Sequence, residues 1–147
     1  MFREGDKLLL GLKKQGFGEG RWNGFGGKLD AGETIEECAQ RETREEIGVE
    51  IEAMEKFALM QFEFYGKPDV IEVHAFDVKK YSGEPKEIEK LIPQWFDIKD
   101  VPFRDMWPDD PFWYPLYLAG KKFKGQFSFD ENGNEVRKVN LEIVGNV

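Results

Sequence analysis

The chain has 147 residues, 40% hydrophobic and 34% charged, an ordinary globular mix with room for one domain over residues 1–147. Its 29 acidic and 21 basic side chains give a net charge of -8, a field that repels polymeric nucleic acid. No apolar run reaches the ~20 residues of a membrane helix, and the N-terminal MFREGDKLLLG carries no secretory h-region. Cys38 is the only cysteine and His74 the only histidine, so an internal disulfide is excluded, thiol or imidazole metal sites lack ligands, and a cytoplasmic protein is expected. Carboxylates remain as the chemically active groups.

In chain order, residues 7–12 (KLLLGL) read as a buried strand. Residues 13–28 hold six of the 16 glycines, a composition that predicts loop with a short strand at 22–25. Thr34-x-x-Glu37 is a capping box that opens a helix over 34–47, and Gly48 stands where its C-terminal cap belongs. Strands are predicted at 49–54, at 57–65 with Phe62 and Phe64 on one face, at 70–78, and in a short apolar piece at 94–98. Residues 109–118 carry one helical segment near their end, and 127–129 with 136–144 form a hairpin around Asn132-Gly133. The sum is a mixed α/β fold with more strand than helix.

On a helical wheel at about 100° per residue, Ile35, Cys38 and Ala39 form the core-facing stripe. One turn later that stripe runs into Glu42 and Glu46, with Glu45 beside them, whereas Glu37, Gln40, Arg41 and Arg44 face water. Three acids on or beside a packed face repel one another unless something cationic sits among them. Two arrangements answer that: a hard divalent ion, Mg²⁺ or Mn²⁺, or a salt-bridged patch in which Arg41 and Arg44 each pin one carboxylate.

The pattern Gly27-x5-Glu33-x7-Arg41-Glu42-Thr43-Arg44-Glu45-Glu46-Ile47-Gly48-Val49 resembles the Nudix box, with Thr43 where an aliphatic residue is usual. The resemblance implies a Nudix fold, a mixed β-sheet core flanked by helices in an α-β-α sandwich. It also implies a hydrolase that cuts a nucleoside diphosphate linked to another group, with divalent metal on this helix. Further stretches, from Leu9-Leu10-Gly11 through Arg21-Trp22-Asn23-Gly24-Phe25-Gly26-Gly27-Lys28 and Phe62-Glu63-Phe64 to Trp107-Pro108-Asp109-Asp110, are similar to the oxidised purine nucleoside triphosphatase branch.

Carried over by that likeness, Glu42, Glu45, Glu46 and the Gly26 carbonyl are implied as metal ligands, and Lys13 as a phosphate-side contact. Asn23 is implied at the base edge, Phe17, Phe62 and Phe64 as pocket walls, Trp107 as the stacking ring, and Phe25, Gly27 and Lys28 on the substrate side. Asp109 and Asp110 are implied as the pair that reads the purine. Their chemistry agrees: adjacent carboxylates beside aromatics favour one neutral acid, a donor next to an acceptor. The competing assignment is a turn with a helix N-cap. Trp95, Trp113, Phe103 and Phe112 are assigned to the core, Cys38 to a buried inert position and His74 to structure.

Two departures stand out. The family's first strand lies before Lys7, and the chain begins about ten residues short of it, so that strand is expected to be missing and the neighbouring edge to pair with a second copy or be covered by the C-terminal hairpin. Lys90 stands where the branch has a glutamate near the metals, with Glu89 one residue earlier as its substitute. The expected activity is Mg²⁺-dependent hydrolysis of an oxidised purine nucleoside triphosphate to monophosphate and pyrophosphate, with Glu45 or Glu89 taking the water's proton. The alternatives are a Nudix hydrolase of ADP-ribose, a dinucleoside polyphosphate or capped RNA, and a non-catalytic nucleotide-binding module. A monomer or an edge-paired dimer, without membrane or nucleic-acid partners, completes the expectation.

Overall fold

Strands punctuated by glycine turns outnumber helices in the fold, and the computed structural model describes residues 1–147. The order is β1 (Phe2–Glu4), β2 (Lys7–Lys13), β3 (Trp22–Asn23), α1 (Ile35–Ile47), β4 (Glu50–Phe64), β5 (Val70–Ser82), β6 (Leu91–Asp97), α2 (Asp110–Leu118), β7 (Lys122–Phe129) and β8 (Val136–Val144). Two four-stranded sheets and two α-helices make a mixed α/β fold, as the sequence predicts. No helix is long and apolar enough to cross a membrane.

The chain forms two compact units, Met1–Glu55 with Asp77–Asp105, and Lys56–Phe76 with Met106–Val147. In the first, β2 is the central strand. It pairs antiparallel with β6 along its whole length, Lys7 opposite Asp97 and Lys13 opposite Leu91. β1 and β3 share its other edge, Phe2 opposite Leu9 and Asn23 opposite Gly11. The core of this unit gathers Phe2, Leu9, Ile47, Val49 and Ile51, with Phe25, Tyr81, Leu91 and Trp95 packed against it.

The strand expected to be missing is therefore present, in three residues. Glu4 pairs with Lys7 across a two-residue turn, Gly5-Asp6, in which Gly5 takes φ 56, a backbone that suits glycine and matches hairpin twist. Met1-Phe2-Arg3 is too short to show periodicity, but Phe2, only 2% exposed, anchors it by burial and by edge-to-face contacts with Phe25 and Tyr81. Both edges of β2 are thus occupied, and the edge-pairing expected there loses its basis.

In the second unit, β7 lies parallel to β4 from Ala58 opposite Phe123 to Phe64 opposite Phe129, and β8 continues the sheet antiparallel to β7. The predicted break between residues 54 and 57 does not exist: β4 is one strand of 15 residues. Alternation places Phe62 and Phe64 on the face shared with Phe127 and Phe129, where the rings stack at 5.1–5.8 Å. Phe112 is 49% exposed, unlike the core position assigned to it, because it follows Pro111 on the outer side of α2, whereas Trp113, Tyr114 and Tyr117 face inward.

Candidate active site

α1 begins where the sequence says: Thr34 Oγ1 accepts the Glu37 backbone N–H at 3.1 Å, and Gly48 N–H closes the last turn on the Arg44 carbonyl. Its buried stripe differs from the wheel. Cys38, Thr43 and Ile47 are the buried residues, Ile47 within the core of Phe2, Leu9, Val49 and Ile51, while Ile35 and Ala39 are half-buried. Thr43, 2% exposed, occupies the aliphatic position of the pattern as a packed core residue.

That rotation leaves Glu42 and Glu46 on the boundary, both half-buried, and Glu45 exposed. No three acidic, histidine or cysteine side chains gather closely enough to form a complete ion cage. The Glu46 carboxyl is pushed up to about 7, first by burial and then by repulsion from Glu42, against a hydrogen bond from the Gly26 backbone and the charge of Lys13. Gly27 lies hard against Glu42: a methyl group there would lie 2.6 Å from both carboxylate oxygens. Cys38 is buried, its Sγ facing the Gly27 carbonyl at 3.6 Å.

Arg41 organises the cluster: the wheel turns it to water and the salt-bridged arrangement gives it one carboxylate, whereas it holds several. Its guanidinium holds Glu33 at 2.6 and 3.0 Å, Glu42 at 2.9 Å, Glu45 at 3.2 Å, Asp30 at 3.2 Å and the Lys28 carbonyl at 3.0 Å. Five donors in a planar fork suit this task as an ammonium would not. Arg44, by contrast, pairs with Glu50 and reaches Glu45 only through its charge. The fixed spacing Glu33-x7-Arg41 was the available signal. Arg41 holds the Glu33 carboxyl down at about 2. A depressed carboxyl stabilises the fold above its ordinary value near 4.5, and that contribution disappears as pH falls from 4.5 towards 2. Acid-unfolding curves of Glu33→Gln should accordingly be flatter across this window than those of the wild type.

The remaining residues assigned to this unit are spread along β2 and its neighbours. Lys13 ends β2 opposite Leu91, and Glu89-Lys90 form the exposed turn just before it, closed by the Ile88 and Leu91 backbones. Asn23 is exposed on β3 and accepts the Gly24 N–H on Oδ1 at 2.8 Å. Lys28 is exposed and contributes its carbonyl to Arg41. Phe25 packs into the core beside Gly11 and Phe2, a structural placement, and Phe17 is 62% exposed in its loop.

The second unit carries the aromatic and aspartate cluster. Asp109 and Asp110 are 3% and 2% exposed. Asp109 occupies the N-cap position of α2 but makes no capping hydrogen bond; its Oδ2 instead accepts the Trp113 indole N–H at 2.8 Å. Tyr114, one turn beyond Asp110, is buried too, and burial together with Asp110 and Asp109 pushes its hydroxyl well up. The sequence assigns Trp113 to the core, where it is buried, without its bond to Asp109, and assigns Tyr114 nothing, although the i,i+4 spacing from each aspartate points to both. Trp107 is half-buried, edge-on to Phe64 at 6.2 Å and to Phe129 at 6.0 Å. The turn and the N-cap position are thus present, but the side-chain capping bond is not.

The NUDIX domain family matches residues 1–117. The oxidized purine nucleoside triphosphate hydrolase of Mus musculus is 50% identical over 125 residues, 85% of this chain and 80% of that protein. Its namesake in Danio rerio is 50% identical over 123 residues, 84% of this chain and 79% of that protein. Among solved structures, the MutT protein of Bacillus halodurans superposes with a TM-score of 0.83 over 96% of this chain and 93% of its own, at 24% identity, a likeness of fold. With Arg41 to Ile47 of the pattern on one capped helix, and Glu33, Glu42 and Glu45 bound by a shared arginine, the chain belongs to the Nudix hydrolase family.

Proposed function

We propose that this Nudix hydrolase cleaves oxidised purine nucleoside triphosphates to the monophosphate and pyrophosphate, with Mg²⁺ or Mn²⁺ as cofactor, in the cytoplasm. The observation that carries the choice of substrate is the burial of two adjacent aspartates just after Trp107, one of them bonded to the Trp113 indole. Two carboxyls in that setting suit a ligand edge with both donors and acceptors, which a purine has and a phosphate lacks. The 50% identity to proteins named for oxidised purine triphosphates supports the same choice.

The donor set fits a hard divalent cation. Glu42 and Glu46 offer oxygen ligands and repel each other in its absence, the donor chemistry such a cation takes. Glu42, Glu46 and the Gly26 backbone would hold it, with Glu45 joining once released from Arg41. When bound, it supplies charge neutralisation at the phosphates and activates a water for attack on phosphorus. Arg41 fixes the Glu42 carboxylate and the loop 28–33 in one arrangement. Lys13 offers a cation to the phosphate chain at the end of β2. Glu45 and Glu89, both exposed and ionisable, are the candidates to accept the water's proton.

A panel of oxidised and ordinary nucleoside triphosphates, ADP-ribose, a dinucleoside polyphosphate and capped RNA, assayed with Mg²⁺, tests the reading. The highest kcat/KM is expected for an oxidised purine triphosphate; a higher value for ADP-ribose or a capped end would overturn it. Gly27→Ala offers a second check. The added methyl displaces the end of the Glu42 side chain rather than backbone, so melting should shift by little while kcat falls about tenfold at saturating Mg²⁺.

A further inference from the structure

The turn joining β7 to β8 holds a residue that turns rarely hold: a buried one. Glu131, Asn132 and Asn134 are exposed, yet Gly133 between them is buried. Four hydrogen bonds fix the turn. Asp130 Oδ1 accepts the backbone N–H groups of Asn134 at 2.7 Å and Glu135 at 3.0 Å. Asp130 N–H donates to the Glu135 carbonyl at 3.1 Å and Gly133 N–H to the Asp130 carbonyl at 3.2 Å. What Gly133 is buried against is the Trp107 ring: a methyl group on it would lie 2.7 Å from Cζ3 of Trp107 and 3.0 Å from Cε1 of Phe64. Its φ of 72 adds a second reason for glycine.

The indole is thereby bounded by Phe64 and Phe129, both edge-on, and by the turn backbone. The two phenyl rings are set by the β4–β7 register, whereas the third boundary depends on one missing side chain. We propose that Gly133 is a positioning residue for substrate: the turn sets where the Trp107 ring sits, and so how closely a purine can stack on it. This rests on the reading that Trp107 stacks the base.

Two substitutions separate ring placement from backbone strain. Gly133→Ala adds the methyl and strains the backbone; Gly133→Asn adds the same Cβ but tolerates the left-handed conformation. Steady-state kinetics should be run on 8-oxo-dGTP and dGTP, alongside thermal melts. Both variants should raise KM for 8-oxo-dGTP about tenfold with kcat within about twofold, and Gly133→Asn should melt close to the wild type. A folded Gly133→Asn protein with wild-type KM overturns the inference, as does a loss confined to kcat. Trp107→Ala, assayed in parallel, identifies which reading has failed. Unchanged KM there removes the stacking role itself, while raised KM there with wild-type KM in Gly133→Asn removes only the role of the turn.

Discussion

Glu46→Gln is expected to lower turnover on every substrate by about 10²–10³-fold, the scale of removing one group that stabilises transition-state charge, while leaving the protein folded. In the metal-free state it should be more stable than the wild type. The Glu46 carboxyl stands at about 7 rather than 4.5, so its ionised form is disfavoured by folding. The sign follows: a raised carboxyl costs nothing below pH 4.5, and its penalty grows through 4.5 to 7 and is full above. Partial exposure trims that penalty to about 1–3 kcal/mol. Melts of both proteins in chelator should coincide near pH 4.5 and separate by several degrees at pH 8. Added Mg²⁺ should then stabilise the wild type more than the variant. An active Glu46→Gln enzyme would remove the carboxylate pair from the chemistry.

Asp110→Asn should change which base is accepted rather than whether phosphate chemistry occurs. An amide keeps the shape of the carboxyl but always donates from one side. Losing or inverting one buried hydrogen bond costs about 1–3 kcal/mol, or roughly ten- to a hundredfold in kcat/KM. That loss should be unequal among 8-oxo-dGTP, 2-oxo-dATP and dGTP, whereas Glu46→Gln should hurt all three alike. Asp109→Asn should differ again, because Asp109 Oδ2 already accepts the Trp113 indole, and an amide nitrogen turned towards that N–H would break the bond. Wild-type proportions among the three nucleotides in Asp110→Asn would mean that the pair does not read the base.

The helix that carries the acids was legible because its start, stop and charges are local: Thr34, Glu37 and Gly48 each act within one turn. The hairpin around Asn132-Gly133 was legible for the same reason. What the sequence hid depends on partners distant along the chain. β1 is three residues made stable by the β2 edge and by the burial of Phe2, and neither leaves a periodic trace. The wheel misjudged the buried stripe because apolar residues alone set its centre, and a threonine filled the apolar place. It misassigned Arg41 because a guanidinium on a half-buried face is stable only through Glu33 and a loop carbonyl, eight and 13 residues away. In the second cluster the aspartates and Trp107 were found by resemblance, whereas Trp113 was read as core alone and Tyr114 was given no place, because their interactions with the aspartates depend on burial.

The guanidinium of Arg41 has one more consequence. By binding Glu42 and Glu45 while tied to Glu33, it serves as a resident countercharge that the divalent ion must share or displace. A carboxylate already compensated by a guanidinium costs less to keep ionised than a bare one, so Glu42 and Glu45 are held in place by charge within the chain itself. Nor does the helix depend on the ion for its own integrity, unlike small metal-folded domains that collapse when stripped. The same guanidinium ties residues 28–33 to the helix, so loop and helix are joined by charge as well as by sequence.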